Sequence, residues 1–195
     1  MDGNPNTAQP LYTPDDLRNL LRQLLSEQSL WTRFLIISII SGLGDIEVIT
    51  DRLYKNAIDI GNLFRLYYGD AIGNEIENSL RNYYSLIITL INAYKTTVFT
   101  TPSTTDYTLI HQANTPLCAA AGQFSILLSS INPYWNQETL ENIFKNTIDM
   151  LNDEIYKRRT NQYYADVIQY DFIEYYSFMT ADILWNGFIN QFNIK

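Results

Sequence analysis

The sequence predicts an all-α protein, an antiparallel bundle of four or more long helices with a short helical pair at about residues 45–68. Two observations favour this fold. Apolar side chains recur at steps of three and four residues through most of the chain, which is the period of an amphipathic helix. No stretch alternates apolar and polar residues for long enough to indicate a strand. Long helices joined by short turns bury such stripes most simply against antiparallel neighbours.

The first predicted helix begins after Thr13 and extends to about Ser41. A Thr cap, a Pro at the first helical position and acids in the first turn suit the free amides of a helix start. Gly42 is expected to end the helix. The preceding segment, residues 1–13, is polar and is expected to be flexible, so residues 14–195 are predicted to form a single helical-bundle domain.

The next elements are a pair of short helices and one long helix. Residues 45–55 and 57–68 are predicted as the short pair, and residues 70–95 as the long helix, because each segment carries an apolar stripe of helical period. The segment 96–108 is rich in Thr and contains Pro and Ser. This composition favours a surface connection over a helix.

Three further helices are predicted in the C-terminal half. Residues 109–130 form the first, and Pro116 is expected to start, kink or restart it because proline has no amide proton to donate. A stripe over residues 140–155 indicates the second helix, and residues 162–192 are predicted as the third. The inward face of this last helix is expected to include Val167, Tyr170, Phe178, Trp185, Ile189 and Phe192.

Charge and composition argue against several classes of partner. A net charge of −8 and an isoelectric point near 4.5 repel phosphate backbones, so nucleic acid is not expected as a partner. No apolar run approaches the roughly 20 residues that span a bilayer, and the amino terminus lacks the features of a signal peptide. We therefore expect no membrane partner and a cytoplasmic location. Cys118, the single cysteine, is predicted to be a small buried side chain.

Most familiar catalytic and cofactor sites lack their residues in this sequence. His111 is the only histidine, which leaves zinc and di-iron centres without their usual ligands. Nucleophilic catalysis needs a Ser or Cys beside a His and an acid, and no Gly-framed Ser is present. No glycine-rich turn follows a strand to hold phosphate. A non-enzymatic protein without a cofactor is favoured.

Three acids in the last predicted helix are the most suggestive candidates for a site. Asp171, Glu174 and Asp182 are spaced to lie along one side of the helix, beside its apolar face. A buried carboxylate without a partner is costly. These acids therefore indicate a ligand or cation site inside the bundle, ion pairs to residues such as Arg33 or Arg52, or simple exposure at the edge of the stripe.

Two motifs carry a resemblance to a known family. The run Trp31, Thr32, Arg33 and the Asn-Pro-Tyr-Trp turn that ends at Trp135 resemble a group of small helical proteins of spore-forming, low-GC bacteria with no established activity. The resemblance covers about residues 17–192 and implies structural roles for the two tryptophans and for Arg33 and Arg52. It extends to Leu53, Asn56, Tyr68, Gly69, Ala181, Asp182, Gln191 and Phe192.

The same resemblance implies a metal site that this chain lacks or has altered. Relatives place an acid or amide followed by His shortly before the Trp-Thr-Arg run and again in two later helices. None of the side chains found there in this chain replaces an imidazole at a metal with comparable affinity. Asp171 and Asp182 do match the pattern. The altered positions hold Gln28, Asn82 with Tyr83, and Asn146 with Thr147.

A short internal similarity links two of the long helices. Residues 77–82 resemble residues 141–146 at a constant offset of 64. A chance match of two amphipathic helices and a duplicated helical pair both remain open.

Two hypotheses of function follow from the sequence. The first is a non-enzymatic, cytoplasmic helical bundle that binds a protein partner or a second copy of itself. The alternative is a bundle that binds a divalent metal or a small ligand at a polar site in its core. The candidate residues for that site are Glu27 or Gln28 from the first helix with Asp171, Glu174 and Asp182 from the last.

Overall fold

The computed structural model describes residues 12–101 and 104–195, and six α-helices account for most of them. Within these ranges no residue belongs to a strand, which confirms the all-α prediction. Residues 1–11 of the segment that was predicted to be flexible lie outside the described residues. The helices are α1 Pro14–Ser41, α2 Ile46–Tyr68, α3 Asp70–Thr96, α4 Thr108–Ile131, α5 Gln137–Arg159 and α6 Tyr163–Phe192.

The six helices form a closed ring of antiparallel neighbours. Each helix packs against the next along the chain, and α6 packs against α1. In addition α1, α3 and α5 contact one another across the ring. The bundle can therefore be described as three helical hairpins, α1 with α2, α3 with α4, and α5 with α6, whose first helices meet inside.

The predicted ends of α1 are confirmed at the level of single hydrogen bonds. Asp16 N donates to Oγ1 of Thr13 at 3.2 Å, so the threonine caps the first turn. At the other end Gly42 adopts the left-handed conformation, with φ of 68°, and its amide reaches the carbonyl of Ile39.

The expected short pair is wrong, because residues 46–68 form the single helix α2. Asn56, the residue between the two predicted segments, is completely buried. Its side-chain amide donates to the carbonyl of Leu24 at 2.8 Å and accepts from the hydroxyl of Tyr84 at 2.9 Å. With both polar atoms paired to α1 and α3, the amide lies in the core and the helix continues through it.

Two expectations for α4 also differ from the structure. Pro116 lies inside a helix that is continuous from Thr108 to Ile131, so the helix does not restart there. The proline is exposed, and its ring lies on the solvent side of the helix, where water can reach the carbonyl left without its amide partner. Cys118 is exposed rather than buried, because the buried face of α4 runs through Leu117 and Ala121.

The predicted inward face of α6 is wrong in part. Val167 is 53% exposed, whereas the neighbouring Asp166 is fully buried. The helix is apolar on both its inner and outer sides, so periodicity could not identify the core side. The buried residues of α6 are Asp166, Gln169, Ile173, Thr180, Ala181, Leu184, Gly187 and Phe188.

An aromatic cluster at one end of the bundle joins α2, the α4–α5 turn and α6. Trp135 is 2% exposed, and its ring centroid lies 5.9 Å from that of Phe64 and 5.3 Å from that of Phe188. The indole N–H donates to the carbonyl of Leu184 at 3.2 Å. The Asn-Pro-Tyr-Trp turn therefore holds a core side chain.

Across residues 12–101 and 104–195, no helix combines the length and hydropathy needed to cross a membrane.

Candidate functional site

A cavity of about 90 Å³ is lined by side chains from all six helices. Eight of the fourteen lining residues are apolar, and the other six carry a hydroxyl or an amide. The lining consists of Leu25, Gln28, Ile60, Phe64, Ser79, Leu80, Tyr83, Ala121, Phe124, Phe144, Thr147, Ser177, Thr180 and Leu184.

The first helix of each hairpin contributes to the cavity in the same way. In each case an apolar residue is followed, three residues later, by a polar one, and this spacing places both on one helix face. The offset of 64 noted in the sequence relates the second pair to the third. The pairs are Leu25 with Gln28, Leu80 with Tyr83, and Phe144 with Thr147.

The polar groups of the cavity fall into two sets. The hydroxyls of Thr147, Thr180 and Ser177 each donate to a carbonyl one turn back on their own helix, at 2.9, 2.9 and 3.1 Å. Gln28, Ser79 and Tyr83 have no side-chain hydrogen bond to any residue within the described ranges. These three groups are therefore available to a molecule in the cavity.

All polar groups that line the cavity are neutral. Burial raises the pKa of the Tyr83 phenol well above its ordinary value, so this group stays protonated and can donate. No carboxylate, imidazole or thiol is among the lining residues of this part of the structure. The lining suits a neutral guest with one or two hydrogen-bonding atoms rather than an ion.

The three positions that the resemblance connects with histidine meet at this cavity. Gln28, Tyr83 and Thr147 all line it, whereas Asn82 and Asn146 are exposed. An amide, a phenol and a threonine hydroxyl do not form a transition-metal ligand set. Among the described residues no three His, Cys, Asp or Glu side chains converge as a metal site requires. The residues present therefore do not fit the metal that the resemblance implies.

The predicted acids do not converge on Gln28. Asp171 lies exposed on the outside of α6. Glu174 lies at the boundary with α1, where Ser26 Oγ donates to its carboxylate at 3.4 Å. Glu27 accepts from Nη2 of Arg52 at 2.7 Å, in an ion pair between α1 and α2.

Asp182 is held by two arginines of α1, not by Arg33 or Arg52 as expected. Arg18 and Arg22 each donate through Nε and Nη2 to its two oxygens, at distances between 2.6 and 2.9 Å. These hydrogen bonds hold the pKa of the Asp182 carboxyl well below its usual range. The carboxylate joins α6 to α1 and does not point to the cavity lining.

The most deeply buried charges form a separate cluster that the sequence analysis missed. Arg33 donates to Glu154 and, at 3.0 Å, to Oδ1 of Asp166, and Arg158 donates to the same aspartate at 3.4 Å. Glu154 and Asp166 are 1% and 0% exposed. Burial raises the pKa of Glu154 to about 7, against the opposing effect of Arg33. Glu154 follows Leu151 by three residues and therefore lies in the apolar stripe of α5. This position in the sequence could have indicated that the carboxyl is buried.

The two tryptophans named with the motifs occupy different environments. Trp31 is partly buried at the α1–α2 boundary, where the guanidinium of Arg52 lies 5.1 Å from its ring centroid. Nη1 of Arg52 is buried with no partner among the described residues, which leaves its attraction to the ring and to Glu27 as the main contacts. Trp135 lies fully in the core, as described above.

Comparisons with protein-family models, with curated proteins and with solved structures find no match to the chain. The resemblance to the helical family of spore-forming bacteria therefore stays a prediction.

Proposed function

We propose that the protein binds a small, neutral, largely apolar molecule in the cavity lined by all six helices. The observation that supports this most directly is the set of three unpaired polar groups, on Gln28, Ser79 and Tyr83, in a lining that also holds eight apolar side chains. The buried polar atoms without a partner among the described residues are Nη1 of Arg52 and the hydroxyl of Tyr67, so the polar atoms of Gln28, Ser79 and Tyr83 keep some accessible surface. A guest that accepts or donates one or two hydrogen bonds there takes the place of water at these atoms.

The volume of the cavity limits the size of the guest. A volume of 90 Å³ is smaller than the ~150 Å³ of an engineered apolar cavity that binds benzene. The guest must therefore be smaller than benzene, and a short alcohol or ketone of about three or four non-hydrogen atoms is the appropriate class of ligand. Water alone satisfies the polar groups but leaves the eight apolar side chains against solvent.

Two probes of nearly the same size and shape test the proposal. Ethanol and propane each have three non-hydrogen atoms, roughly half as many as benzene, but only ethanol has an O–H to donate, and Oε1 of Gln28 can accept from it. Titration of each probe, followed by protein NMR, is expected to show saturable shifts for the residues that line the cavity. Ethanol is expected to bind more tightly than propane.

A filling substitution provides a matched pair of variants. Ala121 is buried in the cavity lining, whereas Ala119 is exposed on the same helix. Ala121→Leu is expected to occupy the cavity and abolish binding of both probes, and Ala119→Leu is expected to leave binding unchanged. Ser79→Val is a smaller filling change, and it decides the test if Ala121→Leu prevents folding.

A substitution of the polar Gln28 separates the contribution of hydrogen bonding from that of cavity shape. Gln28→Leu keeps the approximate volume but removes the amide, so it is expected to weaken the binding of ethanol about tenfold, the loss of about one hydrogen bond, with little effect on propane. If both probes bind with equal affinity, and bind equally well to wild type and to Gln28→Leu, the polar groups of the lining do not contribute to ligand selectivity. Absence of saturable binding by either probe, or binding that Ala121→Leu leaves intact, contradicts the proposal.

A further inference from the structure

The outer side of α6 carries an apolar stripe that the bundle does not cover. Tyr164 is 83% exposed, Phe172 is 55% exposed and Tyr175 is 61% exposed. Ile168 and Met179 are also exposed. These five residues follow one another at steps of three and four, so they are neighbours on one helix face. We call this set the α6 outer stripe.

The stripe is confined to the first half of the helix. On the same face beyond Met179 the chain continues with Asp182, Asn186 and Asn190, which are polar. The structure therefore places an apolar half and a polar half on one side of a single helix, and the polar half begins with Asp182, whose carboxylate pairs with Arg18 and Arg22 of α1. Isolated exposed apolar residues are ordinary on protein surfaces, but a contiguous stripe marks an interaction surface.

We infer that the α6 outer stripe is the surface through which two copies of this chain associate. The occupant must be apolar and must match a convex helical ridge, which a second helix does by packing ridges into grooves. A second copy supplies an identical stripe, and an isologous interface of this kind closes as a two-fold dimer. This inference is independent of the proposed ligand cavity.

The exposed area approaches what a stable dimer needs. The three aromatic members alone present on the order of 400 Å² to solvent, given about 200 Å² for each such side chain. Ile168, Met179 and the adjacent Val167 extend this area toward the roughly 800 Å² per partner of a standard interface. The largest apolar patch on a typical monomer is about 300–600 Å², so the stripe lies at the upper end of that range.

Charge argues for a second copy over a membrane surface. Helix α6 contains no Lys or Arg, and Asp171 and Glu174 lie beside the stripe. Interfacial helices that bind anionic lipid are instead rich in Lys and Arg on their polar face.

Sedimentation velocity of the full chain tests the inference. Wild type is expected to show reversible, concentration-dependent association to twice the 22.7 kDa of one chain. Phe172→Lys introduces a charge at the centre of the stripe and is expected to raise the dimer dissociation constant at least tenfold. Val48→Lys is the matched control, because Val48 is 72% exposed on α2 away from this helix, and it is expected to leave association unchanged.

Each outcome decides the inference. If Phe172→Lys loses its helical circular dichroism, Tyr175→Lys takes its place as the test variant. A wild-type chain that stays monomeric throughout the concentration range overturns the inference, and so does a dimer that both stripe variants leave intact. A monomer that co-sediments with phosphatidylcholine vesicles through Phe172 would assign the stripe to a lipid surface instead, and would also overturn it.

Discussion

Gly187 lies directly against the indole ring of Trp135. A Cβ atom on this glycine would lie 1.9 Å from Nε1 of the tryptophan, far inside any permitted contact. The missing side chain is what lets the indole reach the carbonyl of Leu184 and fill the space between α2 and α6. A single hydrogen atom in place of a methyl group thus sets the packing of the largest buried side chain.

We expect Gly187→Ala to destabilise the protein by about 1–3 kcal/mol, because the rigid indole must shift within a packed core. Gly122→Ala is the matched control, since nothing lies within 4 Å of its Cβ position on α4. That change is expected to stabilise by about 0.4–1 kcal/mol through the unfolded chain. Urea unfolding monitored by tryptophan fluorescence measures both, and equal effects of the two substitutions would contradict the packing argument.

The buried cluster around Arg33 gives a second prediction. Arg33→Met leaves Glu154 without its cation and Asp166 with only Arg158. Removal of one partner from a buried pair costs about 3–5 kcal/mol. Lys55→Met, which breaks an exposed pair with Asp59, is expected to cost less than about 1 kcal/mol. Thermal and urea unfolding of the two variants would contradict this prediction if the costs were similar.

Stability is expected to depend on the ionisation of Glu154. Burial raises its pKa in the folded state to about 7, from an ordinary value of 4.5. Because the folded state then binds the proton more tightly than the unfolded state, this carboxyl contributes stability below pH 4.5 that is lost as the pH rises through 7. The charged side chains near Glu154 are Arg33, Arg158 and Asp166. The substitution Glu154→Gln retains all three of these residues.

The free energy of unfolding of Glu154→Gln is therefore expected to rise relative to wild type between pH 4.5 and 7. The full change is of the order of 3 kcal/mol, at about 1.4 kcal/mol per pKa unit. Glu141→Gln, an exposed change on the same helix, controls for loss of charge alone. A constant difference between Glu154→Gln and wild type across this range would show that the buried carboxyl does not titrate there.

The ion pairs of Asp182 predict the opposite dependence on pH. Arg18 and Arg22 lower the folded-state pKa of this carboxyl below its ordinary 3.8, so its stabilising effect is present above pH 3.8 and is lost as the pH falls further. Asp182→Asn is expected to cost about 1 kcal/mol at neutral pH, because the groups are partly exposed. Asp171→Asn on the same helix is the control and is expected to have no effect. Urea unfolding at neutral and acidic pH would contradict the prediction if the cost of Asp182→Asn were independent of pH.

Local sequence signals were sufficient where one helix face was clearly polar or where an end was capped. The Thr13 cap and the Gly42 stop predicted both ends of α1 because each acts within one turn of backbone. The same reasoning failed for α2, where the buried Asn56 between the two predicted segments has its hydrogen-bond partners on α1 and α3, far away in the sequence.

The candidate site was predictable only in part. Gln28 was named as a candidate, and the cavity that it lines joins it to Ser79 and Tyr83 from α3 and to residues of four other helices. The ion-pair partners also could not be predicted from the sequence. Asp182 pairs with Arg18 and Arg22, and Arg33 pairs with Glu154 and Asp166, because the order of helices around the ring decides which charges meet.

The sequence by itself determined that this chain folds into helices, and where most of them begin and end, since helical period and capping are properties of neighbouring residues. Only the tertiary structure decided which face of α6 is covered, which charges are paired, and that six helices leave a cavity between them. These features depend on contacts between residues far apart in the chain, and the physical reason is that burial and ion pairing are set by helix packing, which no local pattern records.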